Sequence, residues 1–148
     1  MFKGEFQHNI DPKGRVIMPA KFRTELGESF VITKGLDDCL FVYAQPEWER
    51  LAAKLRKLSF TKAAARAFSR IFFAGANDVE LDKQGRVLLP PNLRDHAKLD
   101  KELIIIGVGN RLEIWDKMMW QEYNDEISSD YTNIAEDIAG FDIDMEIE

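Results

Sequence analysis

Cysteine and histidine are nearly missing from this 148-residue chain: Cys39 stands alone, and His8 and His96 are far apart. A lone thiol closes no intrachain disulfide and builds no cysteine-rich zinc site. Neither histidine has a Cys or a second His nearby, so no metal is expected. Long hydrophobic runs are also lacking. No apolar stretch approaches the roughly 20 residues of a membrane span, and the amino terminus MFKGEFQHNI has no signal-peptide h-region. The chain is therefore expected in the cytoplasm.

Motifs of catalysis are missing as well. There is no G-x-x-x-x-G-K-[ST], no G-x-G-x-x-G after a strand and no nucleophile elbow. Ser59-Phe-Thr-Lys62 fits S-x-x-K. The companion motifs of that set are absent, so a helix-cap or linker role is expected there. A hydrolase built on paired Asp residues would need a metal or nucleophile that the chain does not offer. No enzyme site, cofactor or small-molecule substrate is expected.

One sign of charge is absent from the carboxy-terminal end. Residues 122–148 hold ten acids and no base, whereas residues 1–121 carry 20 bases and 16 acids. The net charge of −6 thus hides a mildly basic body. An acidic total argues against nucleic acid as a partner, but here the acid is concentrated in one terminal segment.

What is present is a repeat. Asp11-Pro-Lys-Gly-Arg15-Val-Ile-Met-Pro19 returns as Asp82-Lys-Gln-Gly-Arg86-Val-Leu-Leu-Pro90, and Arg23 returns as Arg94. Residues 35–48 (GLDDCLFVYAQPEW) return as 107–120 (GVGNRLEIWDKMMW). Two copies of a unit too small for a good core of its own should pack on each other as a pseudo-symmetric pair.

Each copy reads as strand, turn, strand, short helix, strand, turn, strand, and then a helix. Residues 2–10 form the first strand, with Phe2, Phe6 and Ile10 on one face. Asp11-Pro12-Lys13-Gly14 has the chemistry of a type I turn, and Asp82-Lys83-Gln84-Gly85 repeats it without proline. Gly14 and Gly85 are read as backbone devices and nothing more. Pro19 and Pro90 stop the following strands and open short helices. Helical stripes carry Trp48, Leu51, Leu55 and Leu58, then Ala64, Ala67, Phe68, Ile71 and Phe72, with Thr61 as N-cap. They are expected to be packing surface. Past Ser128 the periodicity is poor, and a loosely held acidic tail is expected.

The candidate functional residues lie at the repeated turns. Arg15 and Arg86 leave the turns at equivalent positions, and Lys13 and Lys83 sit on them. A two-stranded ribbon bearing Arg fits the DNA major groove, where a guanidinium bridges O6 and N7 of guanine. Lys21, Arg23 and Arg94 on the short helices could add phosphate contacts. The alternative is that each Arg simply pairs with its turn carboxylate, Asp11 or Asp82, and pins the fold. Both roles are compatible.

Asp-x-x-x-Arg after a strand, then V-[IL]-[ML]-P and a short helix, resembles the AbrB-type swapped-hairpin barrel. Two such copies in a chain beginning Met-Phe-x-Gly resemble the MraZ family of bacterial transcriptional regulators, over roughly residues 1–128. The resemblance implies an α+β fold in which two tandem AbrB-like repeats form one pseudo-two-fold swapped-hairpin β-barrel with flanking helices. The segments would be residues 1–58, a linking helix at 59–75, residues 76–128 and an acidic tail at 129–148. It also implies binding of double-stranded DNA at promoter direct repeats and assembly into ring-shaped homo-oligomers. Control of the division and cell-wall gene cluster, including the chain's own gene, would place it on the nucleoid. Carried over to this sequence, the motif positions are Asp11, Arg15, Asp82 and Arg86. Arg15 is foremost, because Lys3, Lys13, Lys21 and Arg23 surround it in sequence. A second reading is an antitoxin-like protein-interaction module on the same barrel. Its tail, studded with Ile134, Ile138, Phe141, Ile143, Met145 and Ile147, would wrap a partner.

Overall fold

In the computed structural model, which describes residues 1–138, the first strand of each repeat finds its partner in the other repeat. The first repeat contributes β1 (Phe2–Asn9), β2 (Arg15–Ile17), α1 (Ala20–Leu26), β3 (Ser29–Lys34), β4 (Leu40–Ala44) and α2 (Gln45–Leu55). After α3 (Ala63–Ala74) come β5 (Asn77–Glu80), β6 (Arg86–Leu88), α4 (Pro91–His96), β7 (Glu102–Gly109), β8 (Leu112–Asp116) and α5 (Lys117–Ser128). A short helix, α6 (Tyr131–Asp137), follows, in the segment where the sequence showed poor periodicity. The last four tail positions named above, from Phe141 onward, lie outside the described residues.

β1 runs antiparallel to β7 from Phe2↔Gly109 to Asn9↔Glu102, and β5 runs antiparallel to β3. The two inner pairings have self-complementary registers. β2 and β6 meet about Val16↔Val87, and β4 and β8 about Phe41↔Glu113. Each central pair joins equivalent positions of the two copies, which is the signature of a pseudo-two-fold axis. The fold is α+β, with a six-stranded sheet β1-β7-β8-β4-β3-β5 and a separate ribbon β2-β6. The sheet does not close. β1 and β5 are its edges, so the closed barrel that the resemblance implied is not seen.

Interleaving lets two small units share one core. Val16, Met18, Phe22 and Leu26 from the first copy are buried with Val87, Leu89, Leu93 and Ala97 from the second. The rings of Phe2 and Phe6 both pack edge-on against Phe22, at centroid distances of 5.7 and 5.1 Å. That contact follows from the spacing of the two phenylalanines along one strand face.

The chain falls into two compact units, Met1–Lys117 and a second that begins at Met118. The first holds the strands of both repeats, from β1 to β8. In the second, the rings of Trp120 and Tyr123 lie 6.2 Å apart and Asn133 Nδ2 donates to Asp130 Oδ1 at 2.7 Å. No helix among the described residues is long and apolar enough to cross a membrane.

Two helical expectations need correction. Thr61 does not cap α3: its hydroxyl lies 2.7 Å from that of Ser59, and Lys62 holds the N-cap position without a side-chain bond. Nor is the whole stripe on α3 packed. Phe72 is buried against Trp48 and Phe68, whereas Ala64, Ala67, Phe68 and Ile71 are exposed. A stripe identifies an apolar face; it does not say whether the same chain covers it.

Candidate nucleic-acid interface

The repeated turns close in the same way. Asp11 accepts the Gly14 amide on its carbonyl at 2.9 Å, and its carboxylate Oδ1 accepts the amides of Lys13 and Arg15, each at 2.9 Å. Its other oxygen, Oδ2, accepts Nε–H of Arg15 at 2.7 Å. In the second turn Asp82 takes the amides of Gln84 and Arg86 at 2.9 Å and Nε–H of Arg86 at 2.7 Å. Asp lies four residues before Arg because one carboxylate has to satisfy the turn and hold the guanidinium at the base of the next strand. The Arg15 backbone amide, then its side chain, hold the Asp11 carboxyl below the usual carboxylate range, and Arg86 does the same for Asp82. Both carboxylates are therefore ionised at neutral pH.

Pairing with Asp leaves each guanidinium partly open to solvent. Only Nε of each guanidinium is engaged by its Asp, and the Arg15 and Arg86 side chains remain 30% and 27% exposed. Lys13 and Lys83 are exposed on the turns.

Arg23 and Arg94 behave differently from the expectation of free phosphate contacts. Arg23 donates Nε–H to the Met18 carbonyl at 2.8 Å, and Arg94 donates to that of Leu89 at 3.0 Å. Their guanidinium groups then reach across to the other repeat's turn. A Cβ built on Gly14 would lie 2.9 Å from Cζ of Arg94, and one on Gly85 only 2.4 Å from Cζ of Arg23. The glycines are therefore more than turn devices. Their positive φ values, +86° and +78°, meet the demands of the turn, and their missing side chains make room for the partner repeat's Arg. Backbone bonds reinforce the exchange, from the Met18 amide to the Gly85 carbonyl and from the Leu89 amide to that of Gly14.

Each turn thereby carries a Lys and an Asp-paired Arg of its own and receives an Arg from the other repeat: Lys13, Arg15 and Arg94 at the first, and Lys83, Arg86 and Arg23 at the second. The contribution of Arg94 to the first turn is the feature that sequence reasoning missed. Its position in the repeat was visible, but its crossing to the other copy was not. The Lys21 ammonium lies 6.0 Å from the centroid of the Phe6 ring.

The ribbon β2-β6 lies between the turns. Val16 and Val87 point into the core, and alternation puts Arg15, Ile17, Arg86 and Leu88 on the outer face. Arg15 is paired with Leu88 and Arg86 with Ile17, so the guanidinium groups occupy opposite corners of one short ribbon.

His96 Nε2 lies 3.1 Å from the Gly35 carbonyl. Burial, and then the nearby Arg23, lower the pKa of His8. Burial also pushes the Cys39 thiol up, so it stays protonated and is a poor nucleophile. No group of His, Cys, Asp and Glu able to hold a metal occurs among the described residues.

The chain matches, over residues 1–71 and again over 72–142, the family described as "MraZ protein, putative antitoxin-like". It is 56% identical over 143 residues to a protein of Heliobacterium modesticaldum, covering 97% of this chain and all of that one. It is 58% identical over 139 residues to one of Desulforamulus reducens, covering 94% and 98%. A third, from Natranaerobius thermophilus, is 57% identical over 143 residues, covering 97% of this chain and all of that protein. All three bear the name transcriptional regulator MraZ.

Proposed function

The chain belongs to the MraZ family, and from that premise we propose that it is a transcriptional regulator that binds double-stranded DNA through its paired turns. The observation that carries this reading is the pair of Arg-bearing turns at opposite ends of one solvent-facing ribbon, each receiving a second Arg from the other repeat. Arg15 is the principal base contact and Arg86 its counterpart. Asp11 and Asp82 hold each guanidinium by Nε, leaving the terminal nitrogens to bridge O6 and N7 of guanine. Lys13, Lys83 and Lys21 supply phosphate contacts. Arg23 and Arg94 brace the turns and add positive charge beneath them.

One ribbon three residues long makes a modest contact, so useful affinity requires several subunits. The exposed face of α3, with Phe68 and Ile71 beside Arg66 and Arg70, is suited to joining copies into a ring. A ring set against tandem promoter repeats raises the effective concentration of each later contact. The resemblance names the division and cell-wall gene cluster, with the chain's own gene, as the target, and hence a nucleoid location.

A gel shift tests this directly, using a duplex from upstream of the chain's own coding sequence beside a scrambled duplex of equal length. The upstream duplex should bind more tightly, and its affinity should fall with salt at a log–log slope of about −0.9 per phosphate contact. Equal binding of both duplexes would remove the regulator reading.

The family's description, together with Ile134 and Ile138 exposed on an acidic carboxy-terminal segment, supports a second reading as an antitoxin-like module. That reading predicts a stoichiometric protein partner in pull-downs from cells, lost when residues 129–148 are removed.

A further inference from the structure

The ribbon exposes two large aliphatic side chains where solvent would favour polar ones. Ile17 is 42% exposed and Leu88 56%, although their strand neighbours Val16 and Val87 are fully buried. They are equivalent positions of the two repeats, so the feature occurs twice about the pseudo-two-fold. The register sets Ile17 beside Arg86 and Leu88 beside Arg15. Each guanidinium therefore has an aliphatic neighbour across the strand, on the same face and at the same height.

This mixture selects its occupant. A protein surface covering the ribbon would have to bury the cations of both turns along with it, at a steep desolvation cost. A polyanion offsets that cost by setting its own charge against those cations, and within the major groove the apolar group on a base edge is the 5-methyl of thymine. We propose that Ile17 and Leu88 read thymine methyl groups beside the bases addressed by Arg86 and Arg15. This rests on the DNA-binding reading above and deepens it, since it makes the ribbon a reader of mixed G·C and A·T steps. Diagonal neighbours on an antiparallel pair stand about 7–8 Å apart. At about 3.4 Å per base pair along a strand, the two methyls lie about two base-pair steps apart.

Replacing every dT of the upstream duplex by dU deletes the methyls and keeps all Watson–Crick edges. Loss of one buried methyl should weaken binding about fourfold and loss of two about fifteenfold. The wild-type chain should bind the dU duplex about fifteenfold more weakly than the dT duplex. The double variant Ile17→Ser with Leu88→Ser should bind both equally, at the weakened level. Because both side chains are exposed, its thermal unfolding should match wild type, and the wild-type comparison does not depend on the variant folding. Equal wild-type affinity for the dT and dU duplexes overturns the proposal while leaving DNA binding intact. A variant that still distinguishes the two duplexes also overturns it, because the methyls would then be sensed elsewhere or through duplex shape. Failure of wild type to prefer either duplex over a scrambled one sinks the DNA reading itself, and the inference with it.

Discussion

Asp11 and Asp82 carry the local argument, because each satisfies two backbone amides and a guanidinium with one carboxylate. Their folded-state pKa values are depressed, chiefly by the backbone amides of Arg15 and Arg86. A depressed carboxylate stabilises the fold above its unfolded value of 3.8, and that contribution fades as pH falls through the folded value. Wild-type stability, followed by urea unfolding from about pH 6 to about pH 3, should therefore fall more steeply than that of Asp11→Asn with Asp82→Asn. Parallel pH curves would mean that the carboxylates do not hold the turns. The Asp–Arg pairing was legible in the sequence, since spacing, turn chemistry and the ion pair all lie within five residues. That a flanking Arg can reach outward was legible too, but how much of it stays exposed was not, because that depends on what the rest of the fold lays over the turn.

Across elements, the sequence period foretold two copies of one strand–turn–strand–helix unit, and the strands and helices follow it closely. It could not foretell the partners. Pairing β1 with β7 and β5 with β3 joins residues that no local pattern connects, and it carries Arg94 onto Gly14 and Arg23 onto Gly85. The exposed stripe of α3 was misread for a related reason: periodicity reports a face, whereas burial is decided by whatever packs on it. The exchange of Arg residues makes a thermodynamic prediction. Gly14→Ala should cost about 1–2 kcal/mol, from left-handed backbone strain and displacement of the Arg94 guanidinium. In an Arg94→Ala background the same substitution should cost less, since the guanidinium atoms nearest the new methyl are then gone. Strictly additive costs in a double-mutant cycle by urea unfolding would contradict the seating of Arg94 on Gly14.

For the whole molecule, the decisive arrangement is the pseudo-two-fold that sets both Arg turns on one ribbon and buries Val16 and Val87 beneath it. The first unit encloses the strands of both repeats, so removing either copy would leave the first two strands of the other without partners. Charge is divided along the chain in the same sense, with bases at the ribbon turns and on α3 and acids beyond residue 121. The central claim is that Arg15 meets DNA rather than merely pinning a turn, and one paired measurement separates those roles. Affinity for the upstream duplex and the thermal midpoint should be determined together for wild type and Arg15→Ala. The surface pair with Asp11 is worth about 1 kcal/mol or less, so the midpoint should drop by no more than a few degrees, while specific affinity falls at least about tenfold, as loss of one bidentate base contact implies. A variant that unfolds well below wild type yet binds the duplex normally while folded would contradict the account.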